Sequence, residues 1–315
     1  MLAARTRSGL VETYHQGAVA VVSADGDLIA SSGEIDRPFF LRSAAKPFQA
    51  AISQQEGAAL QPVELALAAA SHDGEPVHVA VVESMLAASG LDSSALRCPA
   101  IWPLSESATR RHQAMGRNQP QKIWHNCSGK HAAWLRACSA GAGPIESYLA
   151  PDHPLQTRVT RFVTDLGEYP VTPVGIDGCG APVLRTTTRV MALLFARLAT
   201  LPALEEVFSA MHRYPALVSG TGHGDAEVAT ALNAVAKRGA GGCIGVALDN
   251  RLGLAVKSWD GTQEVADSAM VSTLLALGEL PPHTAARLLA IARPPVFGGG
   301  RPVGELEPLV ELTWS

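Results

Sequence analysis

A serine and a lysine stand three residues apart in the segment FLRSAAKPFQAA, residues 40–51, and a proline follows the lysine. Proline is tolerated in the first turn of a helix, where backbone N–H groups have no intrahelical partner to lose. The spacing therefore predicts a helix that begins near Ser43, with Lys46 one turn further on the same face. A hydroxyl at a helix N-terminus and a buried, neutral amine can form a nucleophile–base pair. The alternative is an N-cap serine beside a solvated lysine, because this spacing is common by chance.

Two further motifs each place a cysteine among glycines and polar residues: HNCSGKH contains Cys127, and GIDGCGAP contains Cys179. Glycine suits tight turns and lets the backbone approach a ligand closely. Thiolates are good zinc ligands, but two distant cysteines without a CxxC pair are a weak signal, and an isolated cysteine is often a small core residue. A third ligand would come from Lys130 or His131, and lysine can bind a metal only when its amine is neutral.

The motifs ASHDGEP and AVKSWDG add a second serine and a second lysine. Ser71 and His72 lie at the end of a predicted helix, and Lys257 lies on a predicted strand. Penicillin-binding proteins and class A β-lactamases assemble acyl-transfer sites from S-x-x-K, S-D-N and K-T-G motifs. This chain has S-A-A-K, S-H-D-G and K-S-W in the same order, although the last two match loosely. Lys257 could equally be a charge on an edge strand.

The elements that would position these residues follow from the apolar pattern. Two hairpins are predicted, one over residues 17–31 around Asp25-Gly26 and one with strands near 243–248 and 252–258. A short strand is expected to run into the glycine turn of GIDGCG, and RPPVFGGGRPVGELEP reads as a tail. Helices are predicted after Ser43, in PVELALAAAS up to Ser71, in PVHVAVVESMLAASG up to Gly90, and over 105–117, 132–141, 157–167, a stretch ending near 199, 203–213, 224–237, 264–278 and 282–292.

The predicted hairpins near the two chain ends enclose a helical middle. We therefore expect an α/β fold in which strands from both ends form one antiparallel sheet packed with helices, beside a helical portion. No repeat, low-complexity tract or linker interrupts the chain, so residues 1–315 are predicted to form a single domain.

Composition limits the classes of partner. Apolar residues make up 47% of the chain and the net charge is −4, without a basic patch, so nucleic acid and anionic membranes are not expected partners. The first residues show no apolar stretch of signal-peptide length, and the most apolar segment is interrupted by Arg197. We expect a cytoplasmic protein whose five cysteines are free thiols or metal ligands.

The chain resembles the Rhizobium-type L-asparaginase family, asparaginase II, over nearly its whole length. The cysteine motifs are the most specific part of this resemblance. It implies a fold similar to serine β-lactamases and glutaminases, hydrolysis of L-asparagine to L-aspartate and ammonia, and a homodimer. One departure is His223, where the family is expected to have arginine. The segments that carry the resemblance, in order, are FLRSAAKPFQA, ASHDGEPVH, HNCSGKHAAWL, GIDGCGAP, KRGAGGCIGVAL and GGGRPVGELEP.

The same resemblance implies two Ser–Lys tandems, Ser43 with Lys46 and Ser71 with Lys257. Ser43 is expected to attack the side-chain amide carbon while Lys46, kept neutral by burial, removes its proton. Backbone N–H groups at the helix start would stabilise the oxyanion, and the second tandem would relay a proton as ammonia leaves.

The resemblance also implies a metal site, typically zinc, and contacts to the charged ends of the substrate. The zinc is expected to orient substrate or polarise a carbonyl rather than to generate hydroxide, because serine already supplies the nucleophile. Asp177 is expected to face the α-amino group, and Arg42 and His131 to organise the pocket, with Arg42 near the α-carboxylate. The metal ligands implied are Cys127, Lys130 and Cys179.

Three other functions are alternatives to asparagine hydrolysis. A glutaminase or another small-amide hydrolase on the same scaffold differs by one methylene in the substrate, which a pocket discriminates by only about 1–3 kcal/mol. A non-catalytic zinc-binding or regulatory protein would be indicated by loss of Ser43 or Lys46, and both are present. A scaffold protein would show repeats or exposed apolar stripes, and the sequence has neither.

Overall fold

A computed structural model describes residues 1–249, 251–280 and 282–315. Its α-helices are α1 (Lys46–Ser53), α2 (Pro62–Ala68), α3 (Pro76–Ala87), α4 (Glu106–Ala114), α5 (Ser128–Ala137), α6 (Pro154–Gly167), α7 (Thr188–Leu198), α8 (Glu205–Arg213), α9 (Pro215–Ser219), α10 (Gly224–Ala231), α11 (Gln263–Ala276) and α12 (Pro282–Ala292). Its strands are β1 (Ala3–Arg7), β2 (Leu10–His15), β3 (Gly17–Ser23), β4 (Leu28–Ser32), β5 (Phe39–Phe40), β6 (Gly175–Ile176), β7 (Pro182–Val183), β8 (Arg185–Thr186), β9 (Ala234–Gly239), β10 (Cys243–Leu248), β11 (Leu252–Ser258), β12 (Pro295–Gly298), β13 (Arg301–Pro308) and β14 (Thr313–Trp314).

The described chain divides into two compact units. Unit 1 contains both chain ends, whereas unit 2 is built from the middle of the chain. That the whole chain acts as a single domain stays a prediction. Unit 1 comprises Met1–Ala44, Thr186–Thr200 and Glu227–Ser315, and unit 2 comprises Ala45–Arg185 and Leu201–Ala226.

The main sheet of unit 1 has six strands in the order β14-β4-β3-β11-β10-β9. Neighbouring strands are antiparallel, and β3 pairs with β11 so that Val19 lies opposite Val256. The prediction that strands from both chain ends form one antiparallel sheet is therefore confirmed. Both predicted hairpins are present, as β3–β4 and β10–β11.

Alternation along the strands gives the two faces of this sheet different packing. Val19, Val256 and their neighbours face α11 and α12 in the apolar core. On the opposite face, Gly245 and Gly253 allow α7 to pack directly on the strands, because an added Cβ would collide with the ring of Phe195 or the backbone of α7. Successive side chains of a strand point to opposite faces of the sheet. Because helices cover both faces, β3, β10 and β11 are buried almost throughout.

Two expectations about unit 1 were wrong. Residues 224–237 were predicted to be one helix, but α10 ends at Ala231 and β9 begins at Ala234. Pairing of β9 with β10 is a tertiary contact, and it overrides the helical propensity of this alanine-rich segment. The glycine- and proline-rich segment is likewise not a tail, because β12 and β13 form a hairpin in a second sheet, ordered β12-β13-β1-β2.

Unit 2 is organised around α5. Every residue of this helix except Arg136 is buried, and α1, α2 and α3 pack against it. A short 3-10 helix over Arg42–Ala45 precedes α1, whose second residue is Pro47. The prediction of a helix start near Ser43 is confirmed, and Pro47 lies where its missing N–H costs little. Among the residues described, no helix combines the length and apolar character needed to cross a bilayer.

The close packing of α7 on β11 predicts a steric response at Gly253. A Cβ there would collide with the carbonyl oxygen of Ala192, which is rigid helix backbone. We expect Gly253→Ala to lower the free energy of unfolding by about 1–3 kcal/mol in urea titrations. Gly178→Ala is the matched control, because its Cβ would meet nothing within 4 Å and its backbone is not left-handed. Equal stability of the two variants would contradict this packing.

Candidate active site

The segment that carries Ser43 is held in a strained backbone conformation in unit 1. Arg42 has a φ of 51°, in the left-handed region that residues with a Cβ rarely adopt. Ser43 follows it in the 3-10 helix and is partly exposed. This geometry presents the serine at a helix start, as its spacing predicts.

Gly239, at the end of β9, lets this segment lie against the sheet. A Cβ on Gly239 would stand 2.6 Å from the carbonyl oxygen of Leu41 and 2.6 Å from Cys243 Sγ. Burial raises the pKa of the Cys243 thiol to about 11, against the nearby charges of Lys257 and Arg42, which lower it. The neighbourhood of Cys243 thus includes Arg42 and Lys257, two of the predicted site residues of unit 1.

Lys257 lies at the end of β11, as predicted, with its amine in a cradle of carbonyls and rings. Nζ donates to the carbonyl oxygen of Gly241 at 2.8 Å and to that of Ser258. The amine also lies 5.7 Å from the ring centre of Phe39 and 5.2 Å from that of Trp259. Burial lowers the pKa of Lys257 from its ordinary value of 10.5, which favours a neutral amine able to exchange protons.

Lys46 is the most informative residue of unit 2. Its side chain is 1% exposed, and Nζ lies 2.5 Å from the carbonyl oxygen of Ala70, 3.3 Å from that of Asn126 and 2.9 Å from Ser71 Oγ. Burial lowers the pKa of the amine. Carbonyl oxygens only accept hydrogen bonds, so a neutral amine would donate its two N–H groups to the two carbonyls. Its lone pair would then be available to the Ser71 hydroxyl or to the Cys127 thiol, which also contacts the amine.

A neutral histidine supports the loop that carries Ser71. His72 is fully buried, and its Nδ1 accepts from the Gly74 N–H at 3.1 Å, so the ring proton is on Nε2. Nε2 lies 3.0 Å from Ser128 Oγ, which in turn donates to the carbonyl oxygen of Ile123 at 2.8 Å. Every polar atom in this series of hydrogen bonds has a partner only while His72 is uncharged. Burial lowers the pKa of His72 well below 6.5.

The predicted metal ligands are brought together at the start of α5. Cys127 is the N-cap residue of the helix, and its thiol contacts that of Cys179, which comes from the turn between β6 and β7. Lys130 Nζ donates to Cys179 Sγ at 3.2 Å and lies 4.5 Å from the ring centre of Trp134. The hydrogen bond with Cys179 lowers the pKa of Cys127, while the two thiols raise that of Lys130 in spite of its burial.

His131 and Asp177 lie beside this cluster. His131 is fully buried, its Nδ1 is 2.7 Å from Tyr148 Oη, and its Nε2 has no nitrogen or oxygen partner. Burial lowers the pKa of His131 to about 4. Asp177 accepts from the Gly178 N–H at 2.8 Å and is close enough to Lys130 for its charge to help keep that amine protonated.

The donor set can be compared with the needs of a metal ion. Among the described residues, no group of three or more His, Cys, Asp and Glu side chains is arranged to hold a metal. The predicted set contains only two such side chains, both cysteines, and its third member is Lys130. Two soft thiols and a nitrogen suit zinc, provided that Lys130 gives up the proton it now donates to Cys179. The residues therefore fit a zinc ion on the condition that binding releases a proton.

The structure thus collects the predicted site residues into two groups. Unit 2 brings together Lys46, Ser71, Cys127, Lys130, Cys179, His131 and Asp177, and unit 1 holds Arg42, Ser43 and Lys257. The described hydrogen bond of the Ser71 hydroxyl is to Lys46, a pair that the sequence did not suggest. The tandem of Ser71 with Lys257 stays a prediction.

Sequence reasoning also missed the backbone and histidine partners of the site. The carbonyl of Asn126 accepts from Lys46, but a main-chain acceptor leaves no signature in residue type. The His72–Ser128 pair could have been suspected, because both residues lie in polar motifs that open or close helices. His223 was noted as a departure, and its Nε2 lies 3.3 Å from the Asp73 carboxylate.

Comparison with known proteins adds a family match to this geometry. A family model described as L-asparaginase II matches residues 3–308. No curated protein sequence matches the chain. Among solved structures, the chain is similar to Mglu in its native form, with 17% identity over 84% of this chain and 65% of that chain and a TM-score of 0.48. The chain therefore spans slightly less than two thirds of the length of Mglu.

Two further structures resemble the chain at similar identity. One is the probable glutaminase ybaS, with 16% identity over 84% of this chain and 87% of that chain and a TM-score of 0.40. The other is a β-lactamase from Mycobacterium bovis, with 16% identity over 83% of this chain and 94% of that chain and a TM-score of 0.35.

The buried neutral His72 predicts a specific acid sensitivity. Below pH 6.5 the unfolded chain protonates this imidazole and the folded protein does not, so stability present above pH 6.5 is lost as the pH falls. We expect His72→Gln to flatten this loss by up to about 1.4 kcal/mol per pH unit in denaturant titrations between pH 7.5 and 5.5. Ser128→Ala keeps the buried imidazole and should keep the wild-type slope. Identical slopes for wild type and His72→Gln would contradict the assignment.

Proposed function

The chain belongs to the L-asparaginase II family, and from this premise we propose that it is an amidohydrolase and hydrolyses the side-chain amide of L-asparagine to L-aspartate and ammonia. The observation that carries the chemistry is the buried Lys46 amine, which has two carbonyl acceptors and one serine hydroxyl around it. An amine held in this way can act as a base at neutral pH.

Ser43 is the proposed nucleophile. It lies at a helix start, three residues before Lys46, which would accept its proton. Attack on the amide carbon forms a tetrahedral intermediate whose oxyanion is stabilised by backbone N–H groups at the helix start. Collapse of the intermediate expels ammonia and leaves an ester between Ser43 and the aspartyl group. Water then hydrolyses this ester with the lysine as base, which restores the free serine.

Ser71 and Lys257 form the proposed second tandem, which delivers a proton to the leaving ammonia. The contact between Lys46 and the Ser71 hydroxyl supports a role for Ser71 in moving the proton that Lys46 takes up. The same contact favours a second candidate, in which Ser71 itself is the nucleophile. The reaction class is unchanged in that case, and only the serine that carries the aspartyl ester differs.

The substrate would be held by its charged α-groups. Asp177 is proposed to pair with the α-ammonium group and Arg42 with the α-carboxylate, while His131 shapes the pocket from its buried position beside Tyr148. Such pairs act on both asparagine and glutamine, so they do not choose between the two amides. A glutaminase therefore stays the alternative, and a homodimer is proposed from the family resemblance alone.

Cys127, Lys130 and Cys179 are proposed to hold a zinc ion. When bound, zinc would supply a Lewis acid that polarises or orients a substrate oxygen. The support comes from the contact between the two thiols and from the hydrogen bond between Lys130 and Cys179.

Ammonia release separates these alternatives. We expect the purified protein to hydrolyse L-asparagine with a higher kcat/KM than L-glutamine, and Ser43→Ala to lower kcat on asparagine by at least about 1,000-fold. Ser53→Ala is the matched control, because its hydroxyl only donates to a carbonyl within α1. Retained activity in Ser43→Ala, with loss in Ser71→Ala, would make Ser71 the nucleophile. A diazoketone analogue of asparagine, followed by peptide mass mapping, identifies the serine directly.

Metal content tests the zinc proposal. We expect about one zinc ion per chain in the wild type by elemental mass spectrometry after equilibration with zinc and desalting, since thiolates are good zinc ligands. Cys127→Ser and Cys179→Ser should lose most of it, and Lys130→Met should weaken it. Cys138→Ser, a buried free cysteine that follows α5, is the control. Equal zinc content in the wild type and both cysteine variants would reject the site.

A further inference from the structure

Lys257 owes its position to the turn that follows β11. Two carbonyls accept from the Lys257 amine. One belongs to Ser258, the next residue, and the other to Gly241 in the loop between β9 and β10. A lysine side chain has several rotatable bonds, so the amine goes where its acceptors are held. What fixes the Ser258 carbonyl therefore fixes Lys257.

Asp260 closes this turn with one carboxylate oxygen. Its Oδ1 accepts from the Ser258 hydroxyl at 2.6 Å and from the Thr262 N–H at 2.9 Å. The Gly261 N–H donates to the Ser258 carbonyl at 3.2 Å, which completes a tight loop. These bonds set the direction of the carbonyl that receives the Lys257 amine.

The second oxygen of Asp260 ties the turn to the other sheet of unit 1. Oδ2 lies 2.5 Å from His15 Nδ1, and His15 Nε2 lies 3.0 Å from Thr13 Oγ1, both on β2. The side chain of His15 is only 11% exposed, so water competes little for this bond. The turn is thus anchored to β2 as well as to itself.

Two main-chain bonds complete the anchorage. The Trp259 N–H donates to the carbonyl oxygen of Gln16 at 2.9 Å, and the Ser258 N–H donates to that of Gly242 at 2.8 Å. The ring centre of Trp259 lies 5.2 Å from Lys257 Nζ and 4.5 Å from the Arg37 guanidinium.

We propose that Asp260 is a positioning residue for Lys257, which it holds through the Ser258 turn with His15 as its anchor. The inference rests on the proposed function in one respect, namely that Lys257 takes part in proton transfer. Asp260 itself contacts neither Lys257 nor, in this proposal, the substrate. Its main effect on the reaction is transmitted by the geometry of the carbonyl cradle, and its charge acts on the Lys257 amine from a distance.

The test follows the Lys257 amine directly, by NMR of protein labelled with 15N-lysine, with the signal assigned by its loss in Lys257→Met. The groups that act on this amine from packed elements are Cys243, Asp260 and Arg37. We expect Asp260→Ala to release the amine to solvent, so that the pKa of Lys257 rises toward its ordinary value of 10.5, because burial lowers this pKa by more than the Asp260 charge raises it. With L-asparagine, kcat/KM should fall by about 10- to 100-fold, its pH profile should shift with the amine, and KM should change little.

Conservative variants separate positioning from charge and from folding. Asp260→Asn keeps an acceptor for Ser258 and Thr262 while it removes the charge, so the amine should stay in its cradle and most activity should return. Ser258→Ala removes one support and should give an intermediate effect, even if Asp260→Ala does not fold. Asp25→Ala is the control, since this exposed turn carboxylate pairs only loosely with Arg251, at 3.6 Å.

An unchanged titration of Lys257 in folded Asp260→Ala and in Ser258→Ala would overturn the proposal. A shifted titration in a protein that hydrolyses neither amide would uphold the positioning of Lys257 and reject the proposed function instead. The NMR measurement needs no substrate, so the two failures are distinguishable.

Discussion

The burial of the Lys46 amine is the interaction on which the chemistry of unit 2 depends. Moving an ammonium group out of water costs free energy. Hydrogen bonds to the carbonyls of Ala70 and Asn126 offset that free energy only in part. Burial therefore favours the neutral amine, which is the form a base requires. This arrangement needs α1, the segment after α2 and the segment before α5 to converge on one atom. The start of α5 also carries Cys127, whose thiol contacts that of Cys179.

Local patterns predicted much of the fold. The hairpins β3–β4 and β10–β11, the helix start near Ser43 and the helices of the middle segment follow from turn residues, proline positions and apolar periodicity, all of which act over a few residues. The secondary-structure predictions were wrong where pairing with a strand distant in sequence determines the local structure. Residues 234–237 are strand because β10 lies beside them, and the glycine-rich segment forms β12 and β13 because β1 pairs with β13.

The candidate site divides in the same way. Residue type and spacing singled out Lys46, Ser71, Cys127 and Cys179, and the family resemblance chose Lys130 over His131; the structure brings these residues together in unit 2. The pairing of Lys46 with Ser71 could not be predicted, because it depends on how the loop after α2 folds over α1. Nor could the Asp260–His15 anchor, which joins residues 245 positions apart in the sequence, because His15 lies in no motif.

The central pairing of β3 with β11 has a consequence for how the chain is made. A ribosome releases β3 early, and the strand can pair with β4 but remains without β11 until most of the chain has been synthesised. During that interval the apolar side chains of β3 and the backbone groups at its edge are exposed to other nascent chains. The main sheet can therefore be completed only after β11 has been synthesised.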